Sequence, residues 1–496
     1  MNLFPNVFDA IFAHDPTAPA IHYRGRDLTY GELRARTLRM AQALTSLGAA
    51  RGDRVVLLLN DSPEFIEAFI AICSLGAIAV PINMALRIED QCSILHNCGA
   101  RLALVEDDIC NTLPTDVRIC PLSSVFEKAG DTPPPDFPIH DVHDPAFILY
   151  TSGSTGEPKG AVHRQADIFY TNQTYCREVL RVTKDDRLFS SSRLPFAYGL
   201  GNSFTFPLLN GATTILCREK PTPDIISNTL ATARPTIFFA VPVVYNLLLD
   251  HHRSGKRLDC SSLRLCVSAG EALPAYLGEE WEREFGVQLL DGIGSTEMLH
   301  MFMSNHENDV RYGSSGRLLE GYEARLVDEN GGLTADGAEG NLWIKGESAA
   351  RYYWERPDES VRTFVDGWVR TGDLYRRESD GYWFHMGRSD DCFKSSGQWV
   401  SPVEVEGVLL RHAGVGRAAV VEDFDEHQLP CACAFVVRQD VESDPVELEK
   451  GLRDLAAASL PRFKQPRRYV VVDELPYTAT GKIQRFKLRQ SLRKGL

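Results

Sequence analysis

The sequence has no excess of positive charge. Its 53 Lys and Arg are outnumbered by 67 Asp and Glu, which gives a net charge of −14. Such an acidic chain is atypical of proteins that bind nucleic acid or anionic membranes over a broad surface, although a local basic groove for a phosphorylated ligand is compatible with it. The sequence also has no internal repeat, and a composition of 44% hydrophobic and 24% charged residues excludes disordered, collagen-like and coiled-coil proteins.

Paired cysteines and targeting signals are also missing. The twelve cysteines form no CxxC pair and no Cys/His cluster at zinc-ligand spacing, which indicates reduced thiols. The start, MNLFPNVFDAIFAHD, has no basic segment before an apolar run, so we expect no signal peptide and a cytoplasmic location. The uncharged stretch 68–86 is divided by Gly76, Pro81 and Asn83 into a helix end and a short strand. We therefore predict that it does not span a membrane.

The pattern of apolar runs predicts an α/β fold. The length of 496 residues is enough for about three units of ~150 residues. Continuous apolar runs alternate with helical patterns up to residue 300, which is typical of parallel sheets covered by helices on both faces. The predicted strands are 54–60, 77–83, 101–107, 147–153, 213–217, 236–242, 263–270 and 287–294.

The pattern changes after residue 310. Shorter polar strands with glycine turns, at 324–332, 340–346 and 376–388, predict a small antiparallel, β-barrel-like subdomain. Beyond Arg388 two helices and three strands are enough for a small α+β unit of ~100 residues. We predict a large N-terminal domain, 1–389, and a small mobile C-terminal domain, 390–496, with the Pro-rich segment 131–140 as an exposed connector.

The strongest local motif is YTSGSTGEPKG at 150–160. It follows an apolar strand and concentrates glycine, hydroxyl groups and Lys159, which suits a loop that surrounds phosphate with backbone N–H groups and one cation. It is not a Walker A loop, because the lysine follows Pro158 and no Ser or Thr comes after it. A flexible surface turn is the alternative, and the position directly after a strand favours phosphate binding.

This loop resembles the first motif of the adenylate-forming superfamily, which includes acyl-CoA ligases, adenylation domains of peptide synthetases and luciferases. Further segments resemble that superfamily's signatures in order along essentially the whole chain. They are LTYGEL (28–33), SAGEALP (268–274), DGIGSTE (291–297), RTGDL (370–374), GRSDDCFKSSGQWVSPVEVE (387–406) and PYTATGKI (476–483). Several motifs at compatible spacing make a chance agreement negligible.

The resemblance implies a role for individual residues. Thr296 and Glu297 would contact the phosphate, with Glu297 as a Mg²⁺ ligand, and Lys482 would bridge the carboxylate and the α-phosphate. Asp373, with Arg388, would bind the ribose; alone, a TGD aspartate is more often a turn residue. The ATP site would contain Thr151, Ser152, Gly153, Ser154, Thr155, Gly156, Lys159, Gly270, Glu271, Asp291, Gly292, Ile293, Thr296, Asp373 and Arg388. Ile293 departs from the aromatic residue that is common there, so adenine would pack on an aliphatic side chain.

The C-terminal unit would also serve the second half-reaction. Asp390 takes the position of the family's hinge. The segment 395–399 resembles the one that shapes a pantetheine tunnel, with Ser396, Gly397 and Trp399 as its residues. Gly397 would let the thiol arm approach closely, because a Cβ atom there would obstruct it. An ordinary interdomain linker is the alternative, and both interpretations are compatible.

The acid pocket resembles that of the benzoate–CoA ligase branch. Phe196, Ala197 and Tyr198 would form an aromatic slot, with Gly294 beside it and His300 and Met301 at its far end. Such a slot suits a flat ring of benzoate size and excludes long chains. A histidine in an apolar run is by itself more often a core residue. Its position in STEMLH favours the pocket, and the preferred ring substituent is left open.

The resemblance thus implies an ATP- and Mg²⁺-dependent aryl-acid–CoA ligase that forms an aroyl-AMP and transfers the acyl group to the CoA thiol, as a monomer or homodimer. An aryl-acid adenylating enzyme that loads the phosphopantetheine of an acyl carrier protein is the main alternative. A non-catalytic protein that keeps the fold is a third, and it predicts loss of the magnesium, ribose or bridging groups. Glu297, Asp373 and Lys482 are all present.

Overall fold

The computed structural model describes residues 6–113, 117–125, 127, 141–152, 158–395, 398–425, 427, 429–440, 444–477 and 483–493. The predicted connector 131–140 lies outside these residues. The α/β fold class is confirmed, since parallel-rich sheets with flanking helices precede a small C-terminal α+β unit. The boundary at 389/390 stays a prediction.

The first region supplies all strands of a six-stranded sheet. Its helices are α1 (Val7–Ile11), α2 (Tyr30–Ser46), α3 (Pro63–Ser74), α4 (Ile88–Asn97) and α5 (Leu122–Val125), with a 3₁₀ turn at Asp107–Ile109. Its strands are β1 (Pro19–Tyr23), β2 (Arg26–Thr29), β3 (Arg54–Leu58), β4 (Ile78–Pro81), β5 (Leu102–Val105), β6 (Arg118–Pro121), β7 (Pro145–Ser152) and β8 (Pro158–Arg164). The sheet order is β6-β5-β3-β4-β7-β8, parallel except for the β7–β8 hairpin.

The LTYGEL motif has a structural explanation at the start of α2. Thr29 caps the helix, and Glu32 returns a hydrogen bond to the Thr29 backbone, which makes a capping box. Tyr30 is buried and donates its hydroxyl to the Ala212 carbonyl, 2.8 Å away. The motif therefore begins one helix and anchors it to the second sheet.

The second region builds a nine-stranded sheet. Its helices are α6 (Gln165–Thr171), α7 (Ala197–Leu200), α8 (Phe206–Leu209), α9 (Pro223–Ala233), α10 (Pro242–Arg253) and α11 (Ala275–Phe285), with π-helical segments at Asn172–Leu180 and Gly201–Thr205. Its strands are β9 (Arg187–Ser190), β10 (Thr213–Leu216), β11 (Ile237–Ala240), β12 (Leu265–Ser268), β13 (Leu289–Gly294), β14 (Met301–Ser304) and β15 (Arg317–Leu318). The order is β15-β14-β13-β12-β11-β9-β10-β1-β2, with a parallel centre and antiparallel edges.

The remaining chain forms the two smaller units. The antiparallel subdomain contains β16 (Glu323–Val327), β17 (Glu339–Lys345), α12 (Pro357–Thr363), β18 (Phe364–Val365), β19 (Trp368–Arg377) and β20 (Trp383–Arg388). The C-terminal unit contains β21 (Phe393–Ser395), β22 (Gln398–Val400), α13 (Pro402–Leu409), β23 (Val415–Phe424), β24 (Pro430–Arg438), α14 (Pro445–Ser459), a 3₁₀ turn (Arg462–Lys464), β25 (Arg468–Val471) and α15 (Arg485–Arg493).

The strands predicted from the apolar runs of the sequence are largely buried in the two large sheets. β3, β4, β5, β10, β11 and β12 are buried over most or all of their length, as expected for strands covered on both faces. All twelve cysteines lie in the described part of the chain and are free thiols. Within the same residues, no helix combines the length and apolar character that crossing a membrane would need.

Candidate active site

The glycine-rich motif lies in a hairpin between antiparallel strands, not between a strand and a helix. Thr151 at the end of β7 is opposite Lys159 at the start of β8. Gly153, Ser154, Thr155 and Gly156 lie outside the described residues, as does the side chain of Ser152. The two flanking strands nevertheless fix where this loop leaves and rejoins the sheet.

The turn after β13 carries Thr296 and Glu297, as predicted for the phosphate side. The Tyr353 hydroxyl donates to Glu297 Oε1 over 2.6 Å. Lys159 Nζ lies 5.7 Å from the centre of the Tyr353 ring. Burial raises the pKa of Tyr353, and the charge of Glu297 raises it further, so this phenol stays neutral and donates. The structure thus brings the lysine of the hairpin and the carboxylate of the turn to one aromatic side chain.

Asp373 and Arg388, the predicted ribose pair, are opposite each other on β19 and β20. Arg388 Nη1 donates to Asp373 Oδ1 over 3.2 Å and to the Thr371 carbonyl over 2.8 Å. Gly372 has a φ of +75°, and a Cβ there would lie 2.6 Å from Arg388 Nη2. Gly372 is therefore required for the side chain of Arg388 to lie across the turn.

Electrostatics connect this pair to the phosphate side. Burial opposes the charge of Arg388, but the carboxylates of Asp373, Asp390 and Glu297 raise its pKa. The charge of Glu297 therefore raises the pKa of Arg388, although the two residues come from different parts of the fold. The residues predicted to bind the ribose thus lie near those predicted to bind the phosphates.

The predicted adenine side is formed by the ends of β12 and β13. Gly270 follows β12 with a φ of +91°, which favours glycine, and it is exposed. Ile293 is half-buried at the end of β13 and packs at the edge of the core. Asp291 is buried, and burial raises its pKa, while the Leu273 and Gly292 backbones and the Ser268 side chain oppose that effect.

The predicted acid pocket is formed by aromatic side chains around His300. The His300 ring lies 4.5 Å from Phe206, 5.3 Å from Tyr175 and 5.7 Å from Tyr198 between ring centres. Tyr198 donates its hydroxyl to the Val267 carbonyl over 3.1 Å, which orients its ring. Burial among these rings lowers the pKa of His300 to about 3, so His300 forms a neutral wall of the cluster.

Backbone spacing explains the glycines beside this histidine. A Cβ at Gly294 would lie 2.4 Å from the His300 carbonyl, and one at Gly201 would lie 2.4 Å from the His300 ring. Met301 pairs with Gly294 across β13 and β14 and is buried. Ala197 is buried and Phe196 half-buried at the start of α7. The structure therefore groups Tyr198, Gly294, His300 and Met301, with Phe196 and Ala197 on the adjoining turn.

The groups of the small domain are only partly described. Asp390 is exposed in the turn between β20 and β21, as expected for a hinge. Trp399 lies on β22, where Lys394 Nζ is 5.0 Å from its ring centre; Lys394 also pairs with Glu329 of the antiparallel subdomain at 2.9 Å. Ser396, Gly397 and Lys482 lie outside the described residues.

The residues on either side of the Lys482 loop lie close to the large domain. Tyr477 and Ile483 pair across the loop as an isolated β-bridge. Burial opposes the charge of Arg485, but Glu406, Asp391 and Glu271 raise its pKa. Since Glu271 belongs to the SAGEALP turn, a residue of the predicted adenine side acts on the charge of Arg485.

Two residues at this site were not predicted from the sequence. Tyr353 holds Glu297, and His163 donates from Nε2 to the Thr296 carbonyl over 2.8 Å. Tyr353 stands in RYYWE, a segment without a phosphate or nucleotide pattern. His163 follows the glycine-rich motif by only three positions, and that proximity was the available signal.

The buried His300 predicts a pH dependence of stability. Burial lowers its pKa from 6.5 to about 3, so the unfolded chain binds a proton that the folded chain does not over this interval. The contribution is fully present above pH 6.5 and is lost as the pH falls. We expect the free energy of unfolding of His300→Gln to fall less steeply with decreasing pH than that of the unmodified chain, by up to ~1.4 kcal/mol per pH unit. Urea unfolding at a series of pH values measures this, and parallel curves would contradict it.

Family comparison covers both parts of the chain. Residues 8–354 match the AMP-binding enzyme family and residues 404–482 match the AMP-binding enzyme C-terminal domain. Benzoate–CoA ligase of Thauera aromatica is 40% identical over 487 residues, which cover 93% of this chain and 90% of that protein.

Solved structures agree over the whole chain. The anthranilate CoA ligase solved in complex with anthranoyl-AMP superposes with a TM-score of 0.93 at 37% identity, covering 100% of this chain and 99% of that one. A benzoate CoA ligase from Burkholderia xenovorans gives a TM-score of 0.91 at 38% identity, covering 98% and 100%. The chain belongs to the family of AMP-binding enzymes, the adenylate-forming superfamily, and resembles its benzoate–CoA ligase branch.

Proposed function

We propose that this protein is an ATP-dependent aryl-acid–CoA ligase that activates benzoate or a substituted benzoate. One observation carries the proposal: His300, at the centre of the aromatic cluster, stands only three positions after Glu297 in the chain. A flat ring in this cluster would have its carboxylate close to the phosphate side. Relatives that act on benzoate and anthranilate support the same substrate class.

The pocket favours a compact aromatic acid. Tyr198, Phe206 and His300 present ring faces and edges, which bind a flat ring through dispersion and offset stacking. The unprotonated His300 adds no charge that would compete for the carboxylate. Met301, paired with Gly294 across β13 and β14, would form the far end of the slot and so disfavour a long aliphatic chain.

ATP would be bound by the groups that meet around Tyr353. Lys159 and the loop residues Thr151 to Gly156 would face the phosphates, while Asp373 would accept from the ribose hydroxyls with Arg388 beside it. Ile293 and the turn at Gly270 and Glu271 would flank the adenine, above Asp291 and Gly292. Each assignment uses a donor or acceptor of the type that its part of the nucleotide requires.

The donor set fits Mg²⁺. Glu297 supplies a carboxylate of the hard-oxygen type that this ion prefers, and Mg²⁺ commonly completes its coordination with substrate phosphates and water. When bound, the ion would neutralise phosphate charge and orient the pyrophosphate leaving group. Tyr353 would keep the Glu297 carboxylate in place by its hydrogen bond.

The reaction would then occur in two steps. The aryl carboxylate attacks the α-phosphorus of ATP, and pyrophosphate leaves to give aroyl-AMP. Lys482 would stand between the two anionic reactants, and Thr296 would contact the α-phosphate. Rotation about Asp390 would then replace the Lys482 loop with the segment of Ser396, Gly397 and Trp399. The CoA thiol attacks the aroyl carbonyl and AMP leaves.

The proposal is tested with purified protein, MgATP and a panel of ring-substituted benzoates. We expect acid-dependent pyrophosphate exchange with benzoate-sized acids and aroyl-CoA formation with free CoA; octanoate serves as the matched non-aromatic control. Exchange without aroyl-CoA, together with transfer to a carrier protein, would replace CoA by a phosphopantetheine acceptor. Absence of exchange with every aromatic acid would overturn the proposal.

Replacing Lys482 should separate the two half-reactions. In Lys482→Ala the repulsion between the carboxylate and the phosphate is no longer offset, so adenylation should fall by ~10²-fold or more. Thioester formation from supplied aroyl-AMP should change little, because no anion then approaches a phosphate. Rapid-quench assays of each step measure the difference, and equal loss of both would contradict this role.

Replacing Gly397 should have the opposite effect. A leucine side chain in Gly397→Leu would occupy the space of the thiol arm, so thioester formation should fall while pyrophosphate exchange continues. Gly407→Leu is a matched control, because its Cβ position on α13 has nothing within 4 Å. An unchanged overall rate in Gly397→Leu would contradict the tunnel assignment.

A further inference from the structure

The turn that bears Glu297 is held at three consecutive carbonyl oxygens. The Thr296 carbonyl accepts from His163 Nε2 at 2.8 Å, the Glu297 carbonyl from the Ala350 backbone N–H at 2.7 Å, and the Met298 carbonyl from Ser348 Oγ at 2.9 Å. The three donors come from β8 and from the segment after β17. None of the three peptide groups can rotate without breaking a hydrogen bond.

His163 is fixed from both sides. It is fully buried and stacks on Phe147, with ring centres 5.3 Å apart and planes 19° apart. Nε2 faces a carbonyl oxygen, and Nδ1 lies 3.0 Å from Asp167 Oδ2. The Thr296 carbonyl can only accept, so Nε2 carries the donated proton, while Nδ1 faces the Asp167 carboxylate. The direction in which Nε2 points toward the turn is therefore set by Asp167.

Asp167 also controls the second set of donors. It is fully buried and accepts from the Arg164 backbone N–H at 3.0 Å and from Arg164 Nε at 2.8 Å. Arg164 Nη2 in turn donates to the Glu347 carbonyl, directly before Ser348. One carboxylate thus orients the ring that holds Thr296 and the arginine that holds the segment of Ser348 and Ala350.

We propose that His163, Arg164 and Asp167 are positioning residues for the adenylation step. They fix the turn of Thr296, Glu297 and Met298 before ATP binds, so that the Glu297 carboxylate and the Thr296 side chain need no reordering when the phosphates arrive. Positioning groups of this kind are worth about 10- to 100-fold in affinity or activity at metal sites. The inference rests on the proposed function, because it assigns the turn to the phosphates.

Two substitutions of His163 separate positioning from packing. In His163→Gln the amide nitrogen stands where Nε2 stood and still reaches the Thr296 carbonyl. In His163→Asn it stands where Nδ1 stood and reaches only Asp167. We expect His163→Asn to lower kcat of pyrophosphate exchange by about 10- to 100-fold with a smaller change in KM, and His163→Gln to retain most of the rate. Thioester formation from supplied aroyl-AMP should change little in both.

MgATP binding gives a readout without turnover. Calorimetry in the absence of acid should show weaker binding to His163→Asn than to His163→Gln. Ser348→Ala removes the donor to Met298 and should give the same selective loss of adenylation, to a smaller extent. This variant provides the test if His163→Asn does not fold.

Asp186→Asn is the matched control. Asp186 is also a buried carboxylate that accepts from an arginine, Arg264 Nε at 2.9 Å, and Arg264 Nη2 donates to the Leu180 carbonyl at 2.9 Å. This relay lies before β9, at the other end of the strands. We expect Asp186→Asn to lower thermal stability without separating the half-reactions.

The outcomes distinguish the two proposals. Equal behaviour of His163→Gln and His163→Asn in exchange and in MgATP binding, or equal loss of both half-reactions, would overturn the positioning role. Lack of acid-dependent exchange in the unmodified enzyme would overturn the proposed function. The calorimetric comparison would still decide whether His163 positions the nucleotide-binding turn.

Discussion

Under the proposed function two anions approach each other at this site, and the arrangement of charge around Tyr353 would make that approach feasible. Lys159, Arg388, Glu297 and Asp373 come from separate strands and turns, yet they act on one another within a single region. Arg388 donates to Asp373 and is acted on by the charge of Glu297, while Lys159 lies over the ring of Tyr353, whose hydroxyl holds Glu297. Side chains held in this way before a nucleotide arrives would need little rearrangement to accept a polyphosphate.

The proposed acid-binding side is neutral, in contrast to the charged region around Tyr353. The His300 ring is buried, which lowers its pKa to about 3, and its neighbours are Tyr175, Tyr198 and Phe206. A short turn separates this neutral cluster from the charged one. An aromatic acid has the same division, since its ring is apolar and its carboxylate is charged. The change in polarity along the turn therefore fixes which end of such an acid faces the phosphates.

The turn of Thr296, Glu297 and Met298 connects the charged region with the neutral one. Its backbone carbonyls accept hydrogen bonds from β8 and from the segment that precedes Tyr353, and the buried Asp167 orients the side chains that hold both. The small domain is attached differently. An exposed turn at Asp390 leads into it, and its hairpin meets the large domain through the exposed pair of Lys394 and Glu329. Surface ion pairs of this kind contribute little free energy, about 0–1 kcal/mol. Such a weak contact would suit the proposed rotation of the small domain about Asp390, which would break it.

The sequence by itself determined the strands and the chemistry-bearing positions. Apolar runs such as 236–242 and 263–270 predicted β11 and β12, because strands buried on both faces need continuous apolar side chains. The resemblance of its motifs to the adenylate-forming superfamily assigned roles to Glu297, Asp373 and Arg388, and these roles stay predictions. Only the tertiary structure decided that the strands on either side of the glycine-rich loop pair as a hairpin, that Tyr353 holds Glu297, and that His163 donates to the Thr296 carbonyl. The last two contacts join residues 56 and 133 positions apart, and the hairpin depends on which strand pairs with which, so no local pattern encodes them.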